Sequence, residues 1–254
     1  MDRTQLVRLL SDVRSGAISP ADAADRLAAL PASEAVDAQT VIDHHRELRT
    51  GVPEIVYGAA KTAEQIAVAL RELARSGGAL ATRVDPVKAE AVSRLVPEIA
   101  YDATAQTVRL GVPPDRPPCA PIAIVCAGTS DLPVAAEVAA VANFLGAPTQ
   151  LVSDVGVAGL HRLLARLPDI RRAEVIVAVA GMEAALPSVL GGLVDRPLIA
   201  VPTSVGYGVS IDGLVALGAL LSACAPGISI VNIDNGCGGA VAAVRIARLA
   251  ARAP

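Results

Sequence analysis

Several residues of this chain have side chains that could bind a phosphate group or move a proton. The segment Cys-Ala-Gly-Thr-Ser-Asp-Leu-Pro joins an uncharged apolar run to an alanine-rich helical pattern. Its turn consists of Gly128, Thr129, Ser130 and Asp131. Backbone N–H groups lack partners in the first turn of a helix, and the helix dipole is positive there. The turn therefore favours an anion, a phosphate above all.

Two further residues have side chains suited to acid–base or covalent chemistry. Glu183 precedes the uncharged run Ala-Ala-Leu-Pro-Ser-Val-Leu-Gly-Gly-Leu, and such surroundings would favour the neutral acid and make it a competent proton carrier. The alternative for Glu183 is an acid that stabilises the first turn of a helix. Cys224 follows a predicted helix, where the dipole opposes a thiolate, so the local sequence favours a small buried apolar residue.

The histidines and the remaining cysteines indicate no metal site. His161 is predicted to be helical and exposed. The pair His44–His45 could contact a metal or a phosphate, but adjacent residues do not share a helix face, so a solvated helix face is favoured. The four cysteines show no Cys-x-x-Cys spacing, which argues against structural zinc and against a disulfide framework.

The second half of the chain alternates apolar strands with helices. The predicted strands are Ile122–Cys126, Thr149–Val152, Val175–Ala180, Pro197–Val201 and Ile228–Ile233. The predicted helices are Pro133–Leu145, Ala158–Arg166, Ala185–Leu193, Asp212–Ala223 and Gly239–Arg252. This alternation predicts right-handed βαβ units and an α/β fold, in which one parallel sheet has helices on both faces.

Parallel strands bring their carboxyl ends to one edge of a sheet, where ligands bind. Besides the turn at residues 128–131, polar residues or glycines follow three other predicted strands. These residues are Gly181, Met182, Ser204, Gly206, Tyr207, Gly208 and Asn235. Each of these four strand-end turns, taken alone, indicates no more than an ordinary turn or a helix cap. Together, the four turns predict one shared ligand cleft.

Composition sets the class of protein and divides the chain. The 254 residues carry a net charge of −3 without a run of Lys or Arg, which excludes a nucleic-acid partner. No apolar stretch suits a membrane span and the first residues do not resemble a secretory signal, so we predict a cytoplasmic protein. Charged residues are dense up to Arg109, and prolines then lead to Pro121. We predict a smaller, mostly helical α/β accessory domain over residues 1–118 and the parallel-sheet domain over residues 119–254.

Within the first domain, apolar spacing and capping residues predict three helices. These helices are Arg3–Val13, Pro20–Leu30 and Thr62–Arg75.

Long motifs resemble the LarB-type family of nickel-pincer cofactor biosynthesis. They are Cys-Ala-Gly-Thr-Ser-Asp-Leu-Pro, Ala-Gly-Met-Glu-Ala-Ala-Leu-Pro-Ser-Val-Leu-Gly-Gly-Leu, Val-Pro-Thr-Ser-Val-Gly-Tyr-Gly, Val-Asn-Ile-Asp-Asn-Gly and, in the first domain, Asp-His-His-Arg-Glu-Leu-Arg-Thr-Gly-Val-Pro-Glu. The second half also resembles the PurE-type aminoimidazole ribonucleotide carboxylases, which share Gly-x-x-Ser-Asp-x-Pro. The resemblance implies a PurE-like, flavodoxin-like three-layer catalytic domain.

The resemblance also implies an activity. A LarB-type protein adds a carboxyl group from CO2 or bicarbonate to the pyridinium ring of nicotinic acid adenine dinucleotide. It also splits off AMP, which leaves pyridinium-3,5-biscarboxylic acid mononucleotide. The family assigns a cysteine nucleophile matching Cys224 and a general base matching Glu183. A homo-oligomer is implied as well, an octamer by analogy with the purine enzymes.

Cleavage of the phosphoanhydride requires charge neutralisation. We expect this from Mg2+ held mainly by substrate phosphates, or from cations of the first domain. These cations are Arg46, Arg49, Lys61 and Arg83.

Two other functions stay open on the sequence. One is an aminoimidazole ribonucleotide carboxylase or mutase, although Ser153-Asp154-Val155-Gly156 stands where the purine enzymes have Ser-Ala-His-Arg. The other is a non-catalytic nucleotide-binding subunit.

Overall fold

A computed structural model describes residues 3–28, 34–35, 41–43, 46–75, 77–113 and 116–252. The chain divides into two compact units, Met1–Arg116 and Pro117–Pro254. The pair His44–His45 and the predicted end of the second helix at residues 29–30 lie outside the described residues. In the part of the chain that is described, no helix is both long enough and apolar enough to cross a bilayer.

The first unit combines helices with short strands. Its helices are α1 (Arg3–Ser15), α2 (Pro20–Ala28), α3 (Arg46–Thr50), α4 (Ala63–Ala74) and α5 (Pro86–Leu95). Its strands are β1 (Glu34–Ala35), β2 (Val41–Ile42), β3 (Val56–Tyr57), β4 (Ala79–Thr82), β5 (Ala100–Asp102) and β6 (Thr107–Leu110). Strands β1 and β2 pair with each other, and the other four form a mixed sheet in the order β3, β4, β6, β5.

Capping residues start helices α4 and α5 of the first unit. Thr62 and Gln65 form a reciprocal capping box at α4, and Asp85 accepts a hydrogen bond from the backbone of Lys88 at α5. Ile66 and Leu70 of α4 are fully buried, as their spacing on one helical stripe requires. The prediction of helices in this domain is confirmed, and the mixed sheet adds strands that the charge-rich sequence did not indicate.

The second unit is an all-parallel sheet with helices between its strands. Its strands are β7 (Ile122–Cys126), β8 (Thr149–Val152), β9 (Val175–Ala180), β10 (Leu198–Pro202) and β11 (Ile228–Ile230), in the order β11-β10-β9-β7-β8. Its helices are α6 (Leu132–Phe144), α7 (Leu160–Ile170), α8 (Ala185–Gly191), α9 (Leu214–Leu221) and α10 (Gly236–Ala250). The predicted α/β fold is confirmed. The chain order reverses between β7 and β9, which defines a topological switch point.

Alternate residues of the strands face two different helical layers. Ile176, Ala178 and Ala200 belong to one apolar cluster with residues of α7, α8 and α9. On the other face, Gly239 of α10 approaches Val201 so closely that an added Cβ would lie 2.7 Å from its methyl group. Because side chains alternate along a strand, helices cover both faces of the sheet.

Some element bounds differ from the predicted ones for local reasons. Helix α9 begins at Leu214 instead of Asp212, because Ile211, Asp212 and Gly213 all have positive φ and cannot continue a right-handed helix. Helix α7 runs past Arg166 to Ile170 and includes Pro168. Strand β11 lies at the sheet edge and ends at Ile230, three residues earlier than predicted.

Candidate functional site

A cleft of about 310 Å³ lies at the carboxyl edge of the second unit's sheet. Its walls come from the residues after β7, β8 and β9, with Val205 after β10. The cleft therefore occupies the switch point of the sheet, where open α/β folds bind ligands. Its volume is at the lower end of the roughly 300–1,000 Å³ of small-molecule sites.

The structure brings together six of the predicted site residues in this cleft. They are Gly128, Ser130, Asp131, Gly181, Met182 and Glu183. Thr129 is exposed in the same turn but does not line the cleft.

A buried hydrogen bond braces the floor of the cleft. The hydroxyl of Thr203 donates to Oδ1 of Asp131 over 2.6 Å, and the backbone N–H of Gly128 donates to Oδ2 over 3.0 Å. Thr203 is fully buried and Asp131 nearly so. The carboxylate of Asp131 thus ties the turn after β7 to the turn after β10, and its first task is to hold the cleft in shape.

Gly181 allows the chain after β10 to pass close to the end of β9. A Cβ on Gly181 would lie 2.3 Å from the carbonyl oxygen of Val205 and 2.6 Å from the hydroxyl of Thr203. The Val205 carbonyl accepts a hydrogen bond from the N–H of Met182 over 2.7 Å. A side chain at position 181 would therefore displace both the hydroxyl that braces Asp131 and the turn that carries Glu183.

Glu183 lies between two residues in the left-handed region. Met182 has a φ of 53° and Ala184 a φ of 48°, a conformation that costs energy in non-glycine residues. The turn leaves the side chains of Met182 and Glu183 exposed at the mouth of the cleft. This corrects the expectation of an apolar environment for Glu183, because its side chain is exposed, although Ala185 and Leu186 of the following run line the same cleft.

Backbone strain in the second unit concentrates at the carboxyl edge of the sheet. The non-glycine residues with positive φ in its described part are Asp154, Met182, Ala184, Ile211, Asp212 and Asp234. Each of them follows the carboxyl end of β8, β9, β10 or β11. Such strain clusters at ligand sites, where the surrounding structure holds it in place.

Arg162 supplies a cation to the cleft that the sequence analysis did not single out. Arg162 and Asp154 both line the cleft, and the guanidinium Nη1 forms an ion pair with Oδ2 of Asp154. The side chain folds over Gly159, where an added Cβ would lie 2.5 Å from Nε. The turn after β8 could have indicated this ion pair, since ligand sites form beyond the carboxyl ends of parallel strands and β8 is one of these strands.

Several predicted binding residues lie at the same sheet edge but not in the cleft. Asn235 caps α10 by accepting a hydrogen bond from the N–H of Gly238 over 2.7 Å. The N–H of Ser204 donates to Asp234 over 2.8 Å. Gly206, Tyr207 and Gly208 form the exposed loop beyond Val205. In that loop, the hydroxyl of Ser210 is buried without a hydrogen-bond partner, beside Gly206.

The four cysteines occupy four different environments. Burial, and then the charge of Asp131, raises the pKa of Cys126 to about 12, and its thiol donates to the carbonyl of Gly128. Burial also raises the pKa of Cys119. Cys237 is half-buried in the first turn of α10. Cys224 is exposed, which corrects the interpretation of it as a buried apolar residue, and it does not line the cleft of its own chain.

The predicted cations of the first domain belong to the first unit. Arg49 donates to Oδ1 of Asp43 over 3.0 Å, and Nε of Arg46 lies 3.8 Å from Oδ2 of the same carboxylate. Lys61 is exposed just before α4, and Arg83 follows β4 with a φ of 58°. Their part in binding a substrate stays a prediction.

No group of three or more His, Cys, Asp or Glu residues that could hold a metal ion occurs among the described residues. In the cleft, the carboxylates of Asp131 and Asp154 already have protein partners. The described side chains therefore form no dedicated Mg2+ site.

Two family models match consecutive parts of the chain. The model described as the LarB/PurE-like N-terminal domain matches residues 34–112. The model described as AIR carboxylase matches residues 121–253, which include all of the cleft.

Two proteins of Methanocaldococcus jannaschii are similar to this chain. An uncharacterised protein is 38% identical over 227 residues, which cover 85% of this chain and 87% of that protein. An N5-carboxyaminoimidazole ribonucleotide mutase is 34% identical over 133 residues, which cover 50% of this chain and 79% of that protein.

Proposed function

We propose that this chain, which belongs to the LarB-type family with its PurE-like carboxylase domain, carboxylates nicotinic acid adenine dinucleotide and hydrolyses its phosphoanhydride. The products would be pyridinium-3,5-biscarboxylic acid mononucleotide and AMP, for nickel-pincer cofactor biosynthesis. The observation that carries the proposal is the switch-point cleft, with the carboxylate of Glu183 at its mouth and the cation of Arg162 in its wall.

Covalent catalysis by a thiolate makes carboxylation of this ring feasible. A pyridinium ring is electron-poor, so its meta carbon cannot attack CO2 directly. A thiolate that adds para to the ring nitrogen forms a carbon–sulfur bond and moves a ring electron pair onto nitrogen. The resulting enamine is nucleophilic at the meta carbon, which then forms a bond to the carbon of CO2.

The ring regains its aromatic state in two further steps. A base removes the proton from the carboxylated carbon, and the carbon–sulfur bond then breaks as the thiolate leaves. The net change is one C–H bond replaced by one C–C bond, with one proton released. Glu183 is the proposed base, because its carboxylate stands at the cleft mouth in a turn held by the Met182–Val205 hydrogen bond.

Arg162 is the proposed partner of the substrate phosphate. It lines the same cleft as Gly128 and Ser130, whose turn the sequence analysis assigned to a phosphate. A guanidinium binds phosphate oxygens through paired hydrogen bonds. Asp154 would orient the side chain before a substrate arrives, since it already pairs with the guanidinium.

The size of the cleft suits one half of the dinucleotide. At about 310 Å³ it matches a mononucleotide-sized group, so the AMP half would lie outside it. The loop with Ser204, Gly206, Tyr207 and Gly208 is the proposed surface for that half. Mg2+ would act on the phosphates of the substrate itself, and CO2 or bicarbonate is the co-substrate.

The second candidate is an aminoimidazole ribonucleotide carboxylase or mutase, favoured by the match to the ribonucleotide mutase. The turn after β8 argues against this second candidate function. His161 is exposed and does not line the cleft, so this turn offers no imidazole to carry a proton. The ion pair of Asp154 with Arg162 stands there instead.

The test is turnover by the purified protein with the dinucleotide, 13C-labelled bicarbonate and Mg2+. Mass spectrometry should detect AMP and a mononucleotide that carries one labelled carboxylate. Turnover of aminoimidazole ribonucleotide instead would support the second candidate, and binding without turnover would support a nucleotide-binding subunit. Cys224→Ser should abolish carboxylation and leave the fold intact, whereas the matched variant Cys237→Ser should remain active, because the family resemblance assigns the nucleophile to Cys224 and not to the half-buried Cys237.

A further inference from the structure

Tyr207 differs from the other aromatic residues of the second unit because it is exposed beside the cleft. The whole chain has one Phe, three Tyr and no Trp. Phe144 is buried in α6, and in the first unit the hydroxyl of Tyr101 donates to the carbonyl of Val84 over 3.0 Å. Both of these rings have a role in the fold. Tyr207 is 81% exposed, so burial of apolar surface does not account for its ring.

The backbone of Tyr207 starts at the wall of the cleft. Val205, two residues earlier, lines the cleft, and its carbonyl accepts a hydrogen bond from the N–H of Met182 over 2.7 Å. A Cβ on Gly206 would lie 3.8 Å from the sulfur of Met182, which also lines the cleft. Tyr207 follows Gly206 directly, and consecutive Cα atoms are about 3.8 Å apart. The ring of Tyr207 is therefore attached at the rim of the cleft.

The turn that carries Tyr207 has a fixed shape. The carbonyl of Tyr207 accepts a hydrogen bond from the N–H of Ser210 over 3.2 Å. Gly208 has a φ of 62°, which glycine adopts without strain. On the other side of Tyr207, a Cβ on Gly206 would lie 2.0 Å from the hydroxyl oxygen of Ser210. Because glycines are required on both sides of the ring, little backbone freedom is lost when a ligand binds to it.

The chemistry of this loop suits a flat, neutral group. No residue from Thr203 to Ile211 is charged, so the loop offers no cation to a phosphate. Tyr207 offers an aromatic face, and Val209, two residues further on, is 80% exposed and apolar. Nucleic-acid bases stack on aromatic side chains through their π faces. The loop therefore favours a base over a phosphate.

The size of the cleft indicates which base this is. Its volume of about 310 Å³ suits the half of the dinucleotide that carries the pyridinium ring. The adenine base belongs to the other half, which lies outside the cleft. Tyr207 is at the rim, where this second half leaves the cleft.

We propose that Tyr207 stacks on the adenine base of the dinucleotide and thereby makes the protein prefer the dinucleotide to a mononucleotide without adenine. This inference rests on the proposed function. With adenine on Tyr207 and the pyridinium ring in the cleft, the substrate is held at both ends of its phosphoanhydride. AMP keeps the same contact after cleavage, so AMP competes with the dinucleotide for the site.

Steady-state kinetics of two variants test the stacking. Tyr207→Leu keeps an apolar side chain but removes the aromatic face, whereas Tyr207→Phe keeps the face and removes only the hydroxyl. Stacking of one base on an aromatic side chain changes affinity by roughly fivefold to 150-fold. Tyr207→Leu should raise the KM for the dinucleotide and the inhibition constant of AMP within this range. Tyr207→Phe should leave both constants near their wild-type values.

A second ligand and a second tyrosine serve as controls. Nicotinic acid mononucleotide has no adenine, so its inhibition constant should be the same for the wild type and both variants. Tyr57 of the first unit is 57% exposed, which makes Tyr57→Leu the matched substitution. This variant should change none of the three constants.

Tyrosine fluorescence provides a measurement that does not require turnover. The chain has three tyrosines and no tryptophan, so stacking on one ring lowers a measurable part of the emission. AMP should quench the emission of the wild type, whereas ribose 5-phosphate, which lacks the base, should not. In Tyr207→Phe, AMP should inhibit as in the wild type but without this quenching.

The outcomes separate this inference from the proposed function. If the wild type turns over the dinucleotide and Tyr207→Leu keeps the wild-type KM and AMP inhibition, the ring does not bind the base and the inference fails. It also fails if Tyr207→Leu weakens nicotinic acid mononucleotide as much as AMP, because the substitution then acts on the whole cleft. If the wild type does not turn over the dinucleotide, the proposed function fails, and quenching by AMP in the wild type but not in Tyr207→Phe decides the stacking alone.

Discussion

Substitution of Thr203 tests whether the buried bond to Asp131 holds the cleft together. Thr203→Val keeps the shape of the side chain but removes its hydroxyl, so Oδ1 of Asp131 loses the donor that now lies 2.6 Å away. Thr203→Ser keeps the hydroxyl and removes only a methyl group. The two variants therefore separate the hydrogen bond from the packing at a fully buried position.

The free-energy costs of the two substitutions predict which variant is less stable. Leaving a buried carboxylate oxygen without its donor costs about 1.5–3 kcal/mol. Removing one buried methyl group costs about 1 kcal/mol. We therefore expect Thr203→Val to be less stable than Thr203→Ser, with urea midpoints that differ by roughly 0.5 M at slopes of about 2–3 kcal/mol per M.

Urea unfolding followed by far-ultraviolet circular dichroism measures this order, since the chain has no tryptophan to serve as a fluorescent probe. Protein concentration must be equal for all variants, because association shifts apparent stability. If Thr203→Val proves as stable as wild type, or more stable than Thr203→Ser, then packing and not the hydrogen bond maintains the cleft floor. The argument for Asp131 as a brace would then be refuted.

Two further predictions concern Arg162 and Cys126. Arg162→Ala should raise the Michaelis constant for the dinucleotide at least about tenfold through loss of charge-assisted hydrogen bonds, while His161→Gln, at the exposed neighbour, should leave it unchanged in the same assay. The Cys126 thiol has its ordinary pKa of 9.0 in the unfolded chain, and burial raises this pKa to about 12 in the folded protein. The folded state should thus lose stability as pH rises between these values, and thermal unfolding of Cys126→Ala should show a weaker decline over that range; equal declines would contradict the assignment.

The sheet domain could be predicted because its signals are local and repeated. Strands buried on both faces are continuous apolar runs, and β7, β8 and β9 have the predicted bounds. The start of α9 could not be placed as well, because it depends on the left-handed conformation of Ile211 and Asp212, which is an outlier for a β-branched residue such as Ile211. The strands of the first unit's mixed sheet could not be placed within the predicted α/β accessory domain, since they are only two to four residues long and lie among charged residues.

The candidate site was predictable in part, because its residues also follow local signals at the ends of the predicted strands. The pattern of polar residues and glycines after the predicted strands indicated Gly128, Gly181 and Glu183, which all line the cleft. It did not predict Arg162, which lies in the first turn of α7, well beyond the end of β8, and folds back over Gly159. The exposure of Cys224 was not predictable either, since apolar neighbours in the sequence usually indicate burial, and here they form the surface of α9.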